Sequence, residues 1–248
     1  MIFTLAWREI RSMFMSPLAW VILGVVQALM GWLFLNHVNN YMSVQSQLLG
    51  MQTPIGLTDI VVASVFGNAA IILLLVVPLI TMRLVSEERR NRTLTLLYSA
   101  PLSMTEIILG KYLGILFFLL IVLLLVALMP LSLLAGGNLD FGTFGAGFIG
   151  LALLLASFAA VGLFMSTLTQ NPTIAAVSTF GMLLLSWVLD TGGQGASDNV
   201  LAYFSLLNHY EPFLKGVFDS ADAVFYILLI VTFLVLSTRR LDADRLGG

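Results

Sequence analysis

The sequence predicts an all-α polytopic membrane protein with six transmembrane helices, and three observations carry that reading. Of its 248 residues, 59% are hydrophobic and 10% charged, whereas a soluble domain carries about 25% charged residues. The apolar runs are long, continuous and rich in Leu, Ile and Val. That suits helices, which satisfy their own backbone in lipid, better than barrel strands, which alternate with period two. Third, the basic residues sort to one side of the topology those runs define.

A hydrocarbon core takes roughly 20 apolar residues of helix. The candidate spans are Leu18–Leu35, Ile60–Met82, Tyr112–Ala135, Thr143–Leu168, Thr173–Leu189 and Ala223–Ser237, the last two being short. The first apolar run is too long for a cleavable leader, and no small-x-small site follows it. Six spans place Arg8, Arg11, Arg83, Arg89, Arg90, Arg92, Lys111, Arg239, Arg240 and Arg245 on one side. The other side receives Lys215 alone of the eleven basic residues. The positive-inside rule makes the basic side cytoplasmic, with both termini there. The whole chain, 1–248, reads as one transmembrane domain.

Composition and content exclude several functions. The net charge of −2 offers no basic field for nucleic acid, and the absence of cysteine removes disulfides and thiolate chemistry. No metal site is expected either. No predicted span interior holds Asp, Glu, Lys, Arg or His, the groups an ion-coupled secondary transporter uses. His37 and His209 fall near the outer surface, so an intramembrane enzyme has no nucleophile–base pair to build on. Gln27 and Asn68 are the polar interior residues that stand as candidates for a substrate pathway, against the more common reading of helix–helix packing. Gly110-Lys111 is not a phosphate loop: Thr105 stands where the first Gly belongs and Tyr112 where Ser or Thr must bind magnesium. Pro78 is expected to kink the second span. Gly142, Ala146, Gly150, Ala152, Ala156 and Ala160 form a small-residue seam that lets helices approach closely. That seam reads as internal packing, and a non-transporting helix-packing scaffold stays open beside the transporter readings.

Outside the spans, residues 1–16 form an amphipathic interfacial helix. Phe3, Ala6, Trp7, Ile10, Met13 and Phe14 recur at helical spacing, opposite Thr4, Arg8, Arg11 and Ser12. The cytoplasmic segment 83–111, RLVSEERRNRTLTLLYSAPLSMTEIILGK, is the most polar of the chain. Ser86 is placed to cap a helix with Glu87 and Glu88 in its first turn, running to about Tyr98 and stopping before Pro101. Ser103-Met-Thr-Glu106 is a capping box opening the next helix. The external segment 190–222 is acidic, with Asp190, Asp198, Glu211, Asp219 and Asp222 against one Lys.

The run Glu88, Arg89, Thr93, Leu94, Leu97, Pro101, Glu106, Gly110, Lys111 resembles the pattern of ABC type-2 transporter permeases. The layout of spans and the Gln170-Asn171 turn match as well. The late segment from His209 through Glu211 and Gly216 to Asp219 is similar to the gliding-motility (GldF-like) and nitrous-oxide-reductase maturation (NosY-like) branches. Two departures stand out: Arg92 occupies a position where the family pattern has Gly, and Ser220-Ala221 replaces a more basic pair. The resemblance implies a non-catalytic permease subunit of an ABC exporter in the cytoplasmic (inner) membrane. It would pair with a second permease subunit, as a homodimer or paralogous heterodimer, and with ATP-binding cassette subunits. ATP and magnesium would be bound by those partner subunits, with no cofactor in this chain. It further implies that the short cytoplasmic helix is a coupling helix, with Glu87, Glu88, Arg89, Arg90, Thr93 and Leu94 meeting the ATPase. In the family, the external segment dips partly into the membrane.

Overall fold

In the computed structural model, which describes residues 1–48, 61–93, 103–135, 139–192 and 205–246, helices make up the regular structure of the described residues. They are α1 (Ile2–Met15), α2 (Pro17–Leu48), α3 (Ala63–Thr81), α4 (Ser86–Arg90) and α5 (Met104–Leu131). A 3-10 turn (Ser132–Ala135) follows α5, and then α6 (Phe141–Leu168), α7 (Pro172–Gly192), α8 (Glu211–Leu214) and α9 (Ser220–Leu246). Among the described residues, five stretches are long and apolar enough to cross a membrane: Pro17–Ser43, Ala63–Arg90, Met104–Leu134, Phe141–Leu168 and Ser220–Arg245. The expected span Thr173–Leu189 is the helix α7, whose apolar stretch Pro172–Val188 is shorter than those five.

The bundle is organised around α6, which packs on α3, α5, α7, α8 and α9. Small residues make that possible, since lipid offers no hydrophobic drive between helices and close packing must hold them. A Cβ at Gly147 would stand 2.7 Å from the Phe66 ring, and one at Gly150 would stand 2.5 Å from Phe213 Cβ. Gly162 lies directly against Thr81. Of the predicted seam, Ala146, Gly150 and Ala160 face inward, while Ala152 and Ala156 line a shallow apolar groove between α5 and α6.

The N-terminal helix differs from its expected form. It lies along α5 by a stripe of Ile2, Leu5, Ala6 and Glu9, and the absence of side chains at Gly110 and Gly114 lets it sit there. Added Cβ atoms would be 2.6 Å from Leu5 Cβ and 2.8 Å from Glu9 Cβ, respectively. Phe3 and Trp7 face away from the protein, 83% and 66% exposed. The helix therefore carries two apolar faces, one for the bundle and one for the surroundings, where the sequence pattern had suggested one.

The helix α5 opens as expected: Ser103 Oγ accepts from the Glu106 N–H at 3.2 Å, and Glu106 Oε2 accepts from the Ser103 N–H at 3.1 Å. At α7, the Asn171 side chain accepts from the Thr173 N–H at 3.1 Å. The predicted helix over 86–98 takes a different form. It ends at Arg90, in a Schellman cap: Arg92 N–H donates to Arg89 O at 3.2 Å and Thr93 N–H to Glu88 O at 3.0 Å. Arg92 closes this cap in the left-handed region, with φ of 56°, where glycine is the favoured residue. Leu94, Leu97, Tyr98, Pro101 and Asp198 lie outside the described residues.

Candidate functional site: a braced interfacial helix

The short helix α4 is held by four other helices, and each contact can be traced to a residue. Its N-terminus is capped from outside. Ser86 does not take the N-cap role its sequence position suggested; Val85 occupies that position. Ser86 is instead the first helical residue, and its hydroxyl donates to Met82 O. The cap comes from Ser166 on α6, whose Oγ accepts from the Val85 N–H at 3.0 Å and the Ser86 N–H at 3.1 Å. The same hydroxyl donates to Met82 O at 3.1 Å. Val85, Ser86 and Ser166 are all fully buried, so these groups have no water to turn to.

The charged residues of α4 are divided between inside and outside. Glu88 Oε1 receives Lys111 Nζ at 2.8 Å, and Lys111 also lies 3.5 Å from Glu9 on α1. Lys111 is nearly buried, its side chain 4% exposed, and its ammonium is tolerated there because two carboxylates flank it. Arg8 adds a longer contact to Glu88 at 3.4 Å. Arg89 pairs with Asp244 near the end of α9, and Arg240 approaches the same carboxylate at 3.6 Å. By contrast Glu87, Arg90 and Thr93 are exposed. The six residues expected to meet a partner therefore separate. Glu88 and Arg89 bind α4 to its own chain, Glu87, Arg90 and Thr93 face outward, and Leu94 is outside the described residues.

The opposite end of the bundle has its own polar contacts. Asn68 Nδ2 and His37 Nε2 are 2.7 Å apart, linking α3 to α2. Twenty residues separate His37 from Pro17, about 30 Å of helix rise, which puts this pair near the face opposite Arg8. Gln27 lies about halfway along that distance, and its Nε2 is buried without a hydrogen-bond partner among the described residues. The two candidate pathway residues are thus not brought together.

The residues expected in an external segment turn out to shape the fold. Glu211 opens α8 and pairs with Lys215 at 2.8 Å, both exposed. Gly216 has φ of 79°, and a Cβ there would stand 2.6 Å from Thr143 Oγ1. Asp219 Oδ1 accepts from the Ala221 N–H at 2.8 Å at the start of α9. Between them Phe213, fully buried, fills the space over Gly150. His209 Nδ1 lies 2.6 Å from Asp222 Oδ1, with the Phe225 ring stacked on the imidazole at 4.0 Å. Ser186 Oγ on α7 accepts from the Leu206 N–H at 3.0 Å, which joins this layer to the far end of α7.

Ser166 and the pair Gly110/Gly114 were missed as determinants of the site. The glycine spacing of four on α5 was a usable signal for a helix lying across it; nothing in the sequence marks Ser166 out from other span serines.

An apolar helical bundle, crossed on its basic face by a short charged helix locked to several of its helices, is the architecture of a multi-pass membrane protein. Residues 33–207, more than two-thirds of the 248, match the family described as ABC-2 family transporter protein. The chain belongs to that family and is a permease component of an ABC transporter. No curated protein matches it.

Proposed function

We propose that this chain is one of two permease subunits of an exporter, driven by two separate ATP-binding subunits that grip the segment beginning at α4. The observation that carries the proposal is the bracing of α4: Ser166, Lys111 and Asp244 tie it to α6, α5 and α9. Push on a helix so held and the force reaches those helices as a unit, which is what a lever between an ATPase and a translocation path requires. Glu87 and Arg90, exposed beside the cap at Arg92, supply charge for registering a partner. ATP and magnesium belong to that partner. A neutral, apolar path suits a lipophilic or a large acyl-linked or polymeric cargo, and it suits equally a subunit that transmits force to another protein. The segment from His209 to Asp219 is similar to that of the GldF-like and NosY-like branches.

The same reading gives the chain six spans with both termini in the cytoplasm of a cell bounded by this inner membrane. α7 supports the sixth crossing. It starts at Pro172, beside Arg83 and Arg90, and its Ser186 reaches Leu206 on the opposite face. Because the chain has no cysteine, single cysteines report topology without background. Those at Ser46 and Ser197 label from outside intact cells and one at Ser99 does not; labelling of Ser99 from outside refutes the orientation.

The lever is tested by exchanging Glu87 for Arg together with Arg90 for Glu, which keeps net charge and leaves the Glu88 and Arg89 pairs intact. Expected is normal membrane insertion with loss of ATPase docking or of transport-coupled ATP hydrolysis. Full coupling with normal protein level would mean that this surface does not meet the ATPase. The purified chain alone is expected to show no ATP hydrolysis.

A further inference from the structure

A cavity of about 730 Å³ opens where α1 turns into α2, between that elbow, the end of α3, α4 and α5. Its polar part is formed by Arg8, Glu9, Arg83 and Glu87, while Leu18, Ala19, Ile22, Ile80 and Phe118 wall it on the bundle side. Helix rise orders these residues in depth. Ile22 lies five residues into α2 from Pro17, and Phe118 seven residues beyond Lys111 on α5, about 8 and 10 Å further in. The cavity is therefore charged at the interface and apolar toward the membrane interior. Two exposed tryptophans mark the same level: Trp7 on α1, and Trp20, whose indole N–H donates to Phe14 O across the elbow at 2.9 Å. Trp at such a position belongs to the headgroup region of a bilayer.

The charges select the occupant. Three cations (Arg8, Arg83, Lys111) and three carboxylates (Glu9, Glu87, Glu88) line the cavity, so its formal balance is zero. Lys111 is consumed by Glu88 and Glu9. Arg83 and Glu87 are exposed and form no ion pair among the described residues, and Arg8 keeps 55% of its side chain exposed. One anionic and one cationic group, close together on an amphiphile, complement that lining.

We infer that this cavity holds a single zwitterionic phospholipid of the leaflet on the basic face, with its phosphate at Arg8 and Arg83, its ammonium at Glu87 and the start of an acyl chain against Ala19, Ile22 and Phe118. Such a lipid wedges the elbow against α3 and α4 and so completes the bracing of α4. The inference rests on the membrane reading of the chain and is independent of the ATP-driven one.

The test uses the full chain in bicelles containing equal phosphatidylethanolamine and phosphatidylglycerol, then native mass spectrometry. Expected is one retained phosphatidylethanolamine per chain, in preference to phosphatidylglycerol. Arg83→Ala should lower its retention about tenfold, the equivalent of one charge-assisted hydrogen bond. Ala19→Phe, which fills the apolar wall without touching a charge, should abolish it. Equal retention of phosphatidylglycerol, or retention unchanged in Arg83→Ala, shows annular lipid only and overturns the assignment. If Ala19→Phe fails to insert, Arg83→Ala decides alone, since Arg83 is exposed and forms no ion pair among the described residues. No ATPase enters the assay, so failure here leaves the permease reading standing; and because Glu87 serves both readings, Arg90→Glu alone, at a residue outside the cavity, separates them, since it should lose ATPase docking with phosphatidylethanolamine retained.

Discussion

Replacing Ser166 by Ala removes one hydroxyl and should loosen a helix that begins 80 residues away in sequence. The hydroxyl accepts from two buried N–H groups, Val85 and Ser86, and donates to Met82 O. Each buried polar group left unpaired costs about 1–3 kcal/mol, so two orphaned donors amount to roughly 2–6 kcal/mol. The volume lost is one oxygen, too little for a cavity term to compete. Because α4 is only five residues long, it has no cooperative length to absorb the loss. The cost should appear as local opening of the segment from Val85 to Arg90. Even about 2 kcal/mol raises the open population close to thirtyfold. Hydrogen exchange resolved by mass spectrometry reads this directly. Peptides over 83–93 should exchange faster in Ser166→Ala, while those from the middles of α3 and α6 keep wild-type protection, and Ser166→Thr, which retains the hydroxyl, should restore it. Unchanged protection over 83–93 would refute the claim that α6 caps α4.

Other consequences are equally specific. Lys111→Met should destabilise the chain by up to about 3–5 kcal/mol, since it leaves Glu9 partly buried without its cation and Glu88 with only the longer Arg8 contact; adding Glu88→Gln should recover part of the loss in an unfolding titration. Arg92→Gly should be tolerated or stabilise by up to about 1 kcal/mol, the left-handed penalty relieved exceeding the extra entropy of the unfolded glycine, whereas Arg92→Val should lower the unfolding midpoint. Gly150→Leu should block insertion of Phe213 and cost several kcal/mol by overpacking, read as loss of folded protein after detergent extraction, with Phe213→Ala in the same chain giving partial recovery. Asp140 caps α6 through the Gly142 N–H and accepts from Thr143, bonds that hold its carboxyl below the ordinary value of 3.8. Its contribution is therefore complete above that value and lost as pH falls through the lowered one. Asp140→Asn should flatten the acid end of a stability–pH profile, lowering stability at neutral pH and leaving it little changed below the lowered value.

What the sequence determined by itself follows from solvent chemistry. A chain this apolar has to be helical in lipid, and apolar runs set where helices lie, so α2, α3, α5, α6 and α9 were legible as runs. Capping chemistry is local, so the Ser103–Glu106 box could be read as well. The motif run from Glu88 to Lys111 pointed to the family before any helix was placed. What required the tertiary structure is every assignment that depends on which faces meet. Glu88 and Arg89 look like surface charges in sequence and are spent on Lys111 and Asp244. Arg92, a departure from the expected glycine, gains its meaning only from the left-handed cap it closes. The helix expected to reach Tyr98 stops at Arg90 because that cap turns the backbone. Glu211, Gly216 and Asp219, read as features of an external segment, serve to seat α8 and start α9. Charge and periodicity along a chain report its affinity for water or lipid, but the Arg89–Asp244 pair and the capping of α4 by Ser166 join residues that the sequence holds far apart, and only packing brings them within hydrogen-bond reach.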